Sequence, residues 1–158
     1  MRKGQIASVD LFIAFFVFIL LISILVGTWN LYNQRLNESM EYEKMRLGAY
    51  YISDSFVKTS GTPSAWENNP SSVEIIGLAI DDRVLSSAKV DAFANLSYAS
   101  AREKLKIMGY NYGFRIKDLS NNIIMASGMA PAGDISIVVE RYVTYENEKA
   151  IMEFALWK

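Results

Sequence analysis

The sequence predicts an α+β fold in which a long N-terminal helix, half transmembrane and half amphipathic, packs on a small, mostly antiparallel sheet with short helices. Three observations carry this. Residues 11–26 are apolar except for Ser23. Apolar residues at three- and four-residue steps then continue well beyond that run, the spacing of a helix that packs along its length. From residue 110 onward the spacing shortens to two, the period of a half-buried strand.

The first element is the membrane segment. Leu11 to Trp29 rises roughly 28 Å as a helix, close to the ~30 Å hydrocarbon thickness of a bilayer. Arg2 and Lys3 precede it, which favours a cytoplasmic N-terminus, a single pass and an extracytoplasmic C-terminal domain. Trp29 and Tyr32 suit the outer interface. A secretory signal peptide would have a shorter apolar core and a small-residue cleavage site, neither of which matches the stretch from Val26 to Tyr32.

The helix is expected to continue outward. Trp29, Tyr32, Leu36 and Met40, resumed by Leu47 and Tyr51 after Glu43, form one stripe, and Tyr42, Met45, Ala49, Ile52 and Phe56 form a second on roughly the opposite side. One face would cover the head and the other would meet a neighbour, or both would be buried within one domain. Gly61 and Pro63 supply the stop, so a single helix should run from about Gln5 to Val57 or Lys58. The expected divisions are 1–4 as a basic leader, 5–29 as the transmembrane segment, 30–58 as the outer continuation of the helix, and 59–158 as a globular α+β head.

Within the head, residues 59–72 read as a loop with Trp66 packed back onto the domain. Val73 to Ile80 suggests a strand ended by Asp81 and Asp82, whose adjacency on an extended segment reads as a turn rather than a metal site. Ser86 should cap a helix toward Phe93, and Ser97 a second from Tyr98 to Met108 closed by Gly109, with Tyr98, Ala101, Leu105 and Met108 facing the sheet. Tyr110, Tyr112, Phe114 and Ile116 then alternate with polar residues. A turn at residues 118–122 returns the chain through Ile123 to Ala126. Ile135 to Tyr145, with Ile135, Ile137, Val139 and Val143 inward, turns at residues 146–148 and pairs with Ala150 to Trp157. At least four strands follow from this. Glu140, Glu146, Glu148 and Glu153 are expected on a solvated face, paired with Arg141 and Lys149.

The N-terminal residues also carry a resemblance. Lys3-Gly4-Gln5 followed by Ser8, Asp10 and an unbroken apolar run resembles the class III signal peptide of archaeal type IV pilin-like proteins, and residues 62–98 and 141–158 resemble the extracytoplasmic domains behind such leaders. The resemblance implies a structural subunit, in a minor role, of a cell-surface filament or assembly platform, processed by a prepilin peptidase. Its partners would be the membrane, that peptidase and other pilin-like subunits. Cleavage would fall in Lys3, Gly4, Gln5 and Ile6. The family places Ser two and Glu four residues after the Gln, whereas Ser8 and Asp10 keep those distances from Ile6, which moves the cut to follow Gln5 or shifts the register by one. Asp10 would then be the carboxylate that sets the register between subunits. A carboxylate in a bilayer needs a partner or an escape to water, and the new α-amino group of a neighbouring subunit could provide the former.

The composition limits other readings. The chain has 158 residues, 16 basic and 17 acidic, and neither Cys nor His. That balance gives no field to draw it onto nucleic acid. Disulfides, thiolate and imidazole metal sites and Cys or Ser–His nucleophiles are excluded, so an enzyme would have to run on carboxylates, Lys or Tyr; the expectation is no enzyme activity, cofactor, metal or small-molecule substrate. Asn37-Glu-Ser39 and Asn95-Leu-Ser97 are N-glycosylation sequons. The rival reading is a monomeric membrane-anchored receptor or sensor domain, uncleaved and unpolymerised. An anchored hydrolase working on carboxylates is a second rival, and would require two acids in one cleft.

Overall fold

A computed structural model describes the backbone of residues 3–133 and 135–158, and side chains from Val9 onward apart from Asp134. The expected cleavage residues Lys3, Gly4, Gln5 and Ile6 therefore lie outside the described side chains. The chain divides into a first unit that ends at Glu41 and a second, Tyr42–Lys158. Helix α1 (Lys3–Lys58) supplies all of the described first unit and opens the second.

The described part of the first unit is helix alone. In the second, six strands form one sheet in the order β1-β2-β5-β6-β3-β4. They are β1 (Ala79–Asp81), β2 (Val84–Leu85), β3 (Asn111–Asp118), β4 (Ile123–Gly128), β5 (Ser136–Tyr145) and β6 (Glu148–Trp157). All pairings are antiparallel except β2 with β5. The long β5–β6 pairing follows from its turn, where Glu146 and Asn147 both take positive φ (52° and 65°). That conformation matches the twist of the flanking strands.

One face of the sheet is covered. Tyr112, Phe114 and Ile116 of β3, Val139 and Val143 of β5, and Met152, Phe154 and Leu156 of β6 share a core with Met45, Ala49, Ile52 and Phe56 of α1. The second apolar stripe is thus the one that covers the head from Met45 onward, while Tyr42 at its start stays exposed. Phe56 meets Phe93, Phe114 and Phe154 edge-on, at centroid distances of 5.2, 5.6 and 5.5 Å. A Cβ at Gly48 would stand 3.8 Å from Leu156 Cδ1, an ordinary contact, so the helix lies close on β6 there without requiring glycine.

Two short helices complete the cover. Helix α2 (Ser87–Ala94) begins as its Ser86 cap demands, the hydroxyl accepting from Lys89 N–H, and α3 (Tyr98–Lys104) is capped likewise by Ser97. The predicted end of α3 is corrected: it stops at Lys104, four residues before Met108. Lys106 adopts φ 57°, its N–H bonds Glu103 C=O at 3.0 Å, and Ile107 N–H bonds Arg102 C=O at 3.1 Å, which is a Schellman closure. The closure turns Ile107 inward and leaves Met108 73% exposed, so Met108 does not face the sheet.

The predicted strand over Val73–Ile80 is also corrected, since only Ala79–Asp81 pairs as one. The backbone there is spent on α1 instead. Leu78 N–H bonds Phe56 C=O at 3.1 Å, Ala79 N–H bonds Thr59 C=O at 3.0 Å and Arg83 N–H bonds Val57 C=O at 2.7 Å. These donors satisfy carbonyls that every helix C-terminus leaves open. Gly77 permits the approach, because a Cβ would collide with backbone at Thr59 and Gly61. Ile135, expected inward, precedes β5 and is 47% exposed.

The loop after α1 packs back as expected. Trp66, in the 3-10 turn Trp66–Asn68, is fully buried and its Nε1–H donates to Gly77 C=O at 2.9 Å. Two lysines hold the rest of it through main-chain carbonyls. Buried Lys89 donates to Ser60 and Ser64 C=O at 2.6 and 2.7 Å, and Lys104 to Ser71 and Val73 C=O at 2.9 and 2.8 Å.

Candidate functional site

The candidate surface is the part of α1 that no core residue covers. In the first unit every large apolar side chain from Val9 to Tyr32 is at least 44% exposed. The helix is long and apolar enough there to cross a membrane. Its polar groups are provided for locally: Ser23 donates to Ile19 C=O at 2.8 Å, and Thr28 to Ile24 and Leu25 C=O at 3.0 and 2.9 Å. Such bonds let hydroxyls sit in an apolar segment without an unsatisfied donor. Asp10 is exposed, and it is the one residue among Asp, Glu, Lys and Arg between Val9 and Arg35. Asn37 is exposed on the helix further on.

In the second unit the two sides of α1 part company. Met45, Ala49, Ile52 and Phe56 enter the core, while Leu47, Tyr50 and Tyr51 remain exposed, Tyr51 at 72%. Between Tyr51, Asp54, Lys58, Gly61 and Ile75 lies a groove of about 350 Å³. Asp54 stands at its side, accepting from Lys58 Nζ at 2.7 Å and from Arg141 at 2.8 Å. The Lys58 hydrogen bond, helped by Arg141 and opposed by partial burial, holds the Asp54 carboxyl below its ordinary range. Arg141 also lies over the Tyr50 ring, 5.6 Å from its centroid.

Arg141 was expected among the hairpin acids, and strand parity explains why it is not. Val139 and Val143 point to the core, so Arg141 between them points to the helix side as well. On the opposite face the expectation for Glu153 is corrected. This carboxylate is 7% exposed rather than solvated, held between Arg115 at 3.2 Å and Lys117. Its cross-strand neighbour is Glu140, which stays exposed. A buried carboxylate persists only with such partners. The alternation of β3 could have shown the pairing, since Arg115 and Lys117 share the outward face, but the register of β3 on β6 could not be read from either strand alone.

The remaining polar candidates do not converge. Asp81 ends β1 and Asp82 opens the turn to β2, with Asp81 Oδ1 accepting from Asp82 N–H at 2.8 Å. Among the described residues no group of three or more His, Cys, Asp or Glu side chains comes together. Tyr112 and Tyr145 have phenols pushed up by burial, which suits core residues and not nucleophiles. Asn95 caps α2 at its C-terminus and is exposed. The uncovered surface of α1 is suited to packing against apolar partners. Comparison with protein-family models, with curated proteins and with solved structures finds no match.

Proposed function

We propose that the chain is a pilin-like structural subunit, anchored by a single N-terminal helix with its C-terminal domain outside the cytoplasm, that is trimmed by a prepilin peptidase and packs with like subunits into a surface filament or assembly platform. One observation carries the reading: α1 is largely apolar and exposed from Val9 to Tyr32, and in the second unit it buries one stripe in the head while leaving Leu47 and Tyr51 open. A lone anchor needs only the first of these. The first stripe, left exposed at Leu47 and Tyr51, suits a helix that also meets a neighbour. Asp10 in this reading pairs with the new α-amino group of an adjacent subunit and fixes axial register, since an unpaired carboxylate within lipid is costly.

N-terminal peptide mass spectrometry of the protein from its native membranes tests the proposal. The expected mature terminus is Gln5, or Ile6 in the shifted register. A chain that retains Arg2 and Lys3 refutes it and leaves a monomeric anchored receptor as the reading.

A further inference from the structure

The first unit carries a polar feature just beyond its apolar run. Thr28, Leu31, Tyr32 and Arg35 share one face of α1 and line a shallow depression of about 200 Å³. Thr28 spends its hydrogen on the helix backbone. The Tyr32 hydroxyl and the Arg35 guanidinium, by contrast, have no partner among the described residues. Glu38, the acid nearest in sequence to Arg35, accepts instead from Gln34 at 3.2 Å.

Position gives these two donors a meaning. Side chains on a helix lean toward its N-terminus, so Arg35 reaches back toward Tyr32 and the end of the apolar run. Tyr32 and Arg35 rise about 5 and 9 Å beyond Trp29. With residues 11–29 filling the hydrocarbon, that is the headgroup layer.

We propose that this depression binds the phosphate of an anionic phospholipid headgroup. Arg35 pairs with one phosphate oxygen, Tyr32 O–H donates to a second, and Leu31 lies against the upper acyl chain. A peptide carboxylate would satisfy Arg35 but would leave the apolar side chain of Leu31 unused. The inference rests on the anchoring part of the reading above and not on filament assembly.

The test uses the full chain in nanodiscs of phosphatidylcholine with a minor fraction of phosphatidylglycerol, followed by gentle release and native mass spectrometry of the lipids retained. The wild type should retain phosphatidylglycerol over phosphatidylcholine by a factor of about five, the contribution of one well-placed cation at an anionic surface. Arg35→Gln should lose that preference and Arg35→Lys should keep part of it. Arg35 is exposed, so neither change should alter the fold, which circular dichroism checks. Equal retention by wild type and Arg35→Gln overturns the proposal, as does a wild type without preference. So does inorganic phosphate that displaces the bound lipid at equal concentration, which would make the site a free-phosphate site. Extraction of the chain from native membranes by alkaline carbonate would instead refute the anchoring reading itself.

Discussion

Replacing Phe56 by Ala removes the ring at which helix and sheet meet. Phe56 is fully buried, and its ring touches three others edge-on, from α2, β3 and β6. Burying a phenyl side chain contributes about 3 kcal/mol, and favourable aromatic geometry adds about 1 kcal/mol. Ala restores little of this, and a close-packed core collapses only partly around the void, so the expected loss is about 4 kcal/mol. Tyr51, five residues earlier and 72% exposed, is the control, because Tyr51→Ala should change stability by less than about 0.5 kcal/mol. The assay is urea unfolding of the full chain in detergent, followed by the fluorescence of buried Trp66 and Trp157. A loss below about 1 kcal/mol for Phe56→Ala, or equal losses for the two variants, would show that α1 is not packed on the sheet through this stripe.

Two further outcomes follow from the polar contacts. Asp54 is held below its ordinary value of 3.8, so it stabilises the fold above that pH, and the contribution is lost as pH falls through the lowered value; Asp54→Asn should flatten this acid limb in unfolding titrations. The effect is modest, because the pair with Lys58 is well exposed. Lys89→Met keeps the buried stem but removes the donor that holds Ser60 and Ser64 C=O, so limited proteolysis should cut faster within residues 60–64 while the sheet stays resistant. An unchanged cleavage rate would show that Lys89 does not secure the loop.

Much of the fold was legible because it rests on local periodicity. The caps at Ser86 and Ser97, the inward set Tyr112, Phe114 and Ile116, and the stripe Met45 to Phe56 each state their own secondary structure and buried face. Misreadings occurred where a residue's partner lies far along the chain. Val73 to Ile80 has the apolar composition of a strand, yet its N–H groups serve the end of α1, a use that depends on Gly77 meeting Thr59 and Gly61. Met108 and Ile107 are equally apolar, and only the left-handed turn at Lys106 decides which is buried.

The same division holds for the candidate surfaces. By itself the sequence determined an apolar helix long enough to span a bilayer, its two-striped continuation and the absence of Cys and His, because each is a property of spacing or composition. Only the tertiary structure decided which stripe the head covers, that Arg141 goes to Asp54 and that Glu153 lies between Arg115 and Lys117. Those outcomes depend on strand register and on which groups folding brings together, and charge pairs form between residues 38 and 87 positions apart that no local pattern connects.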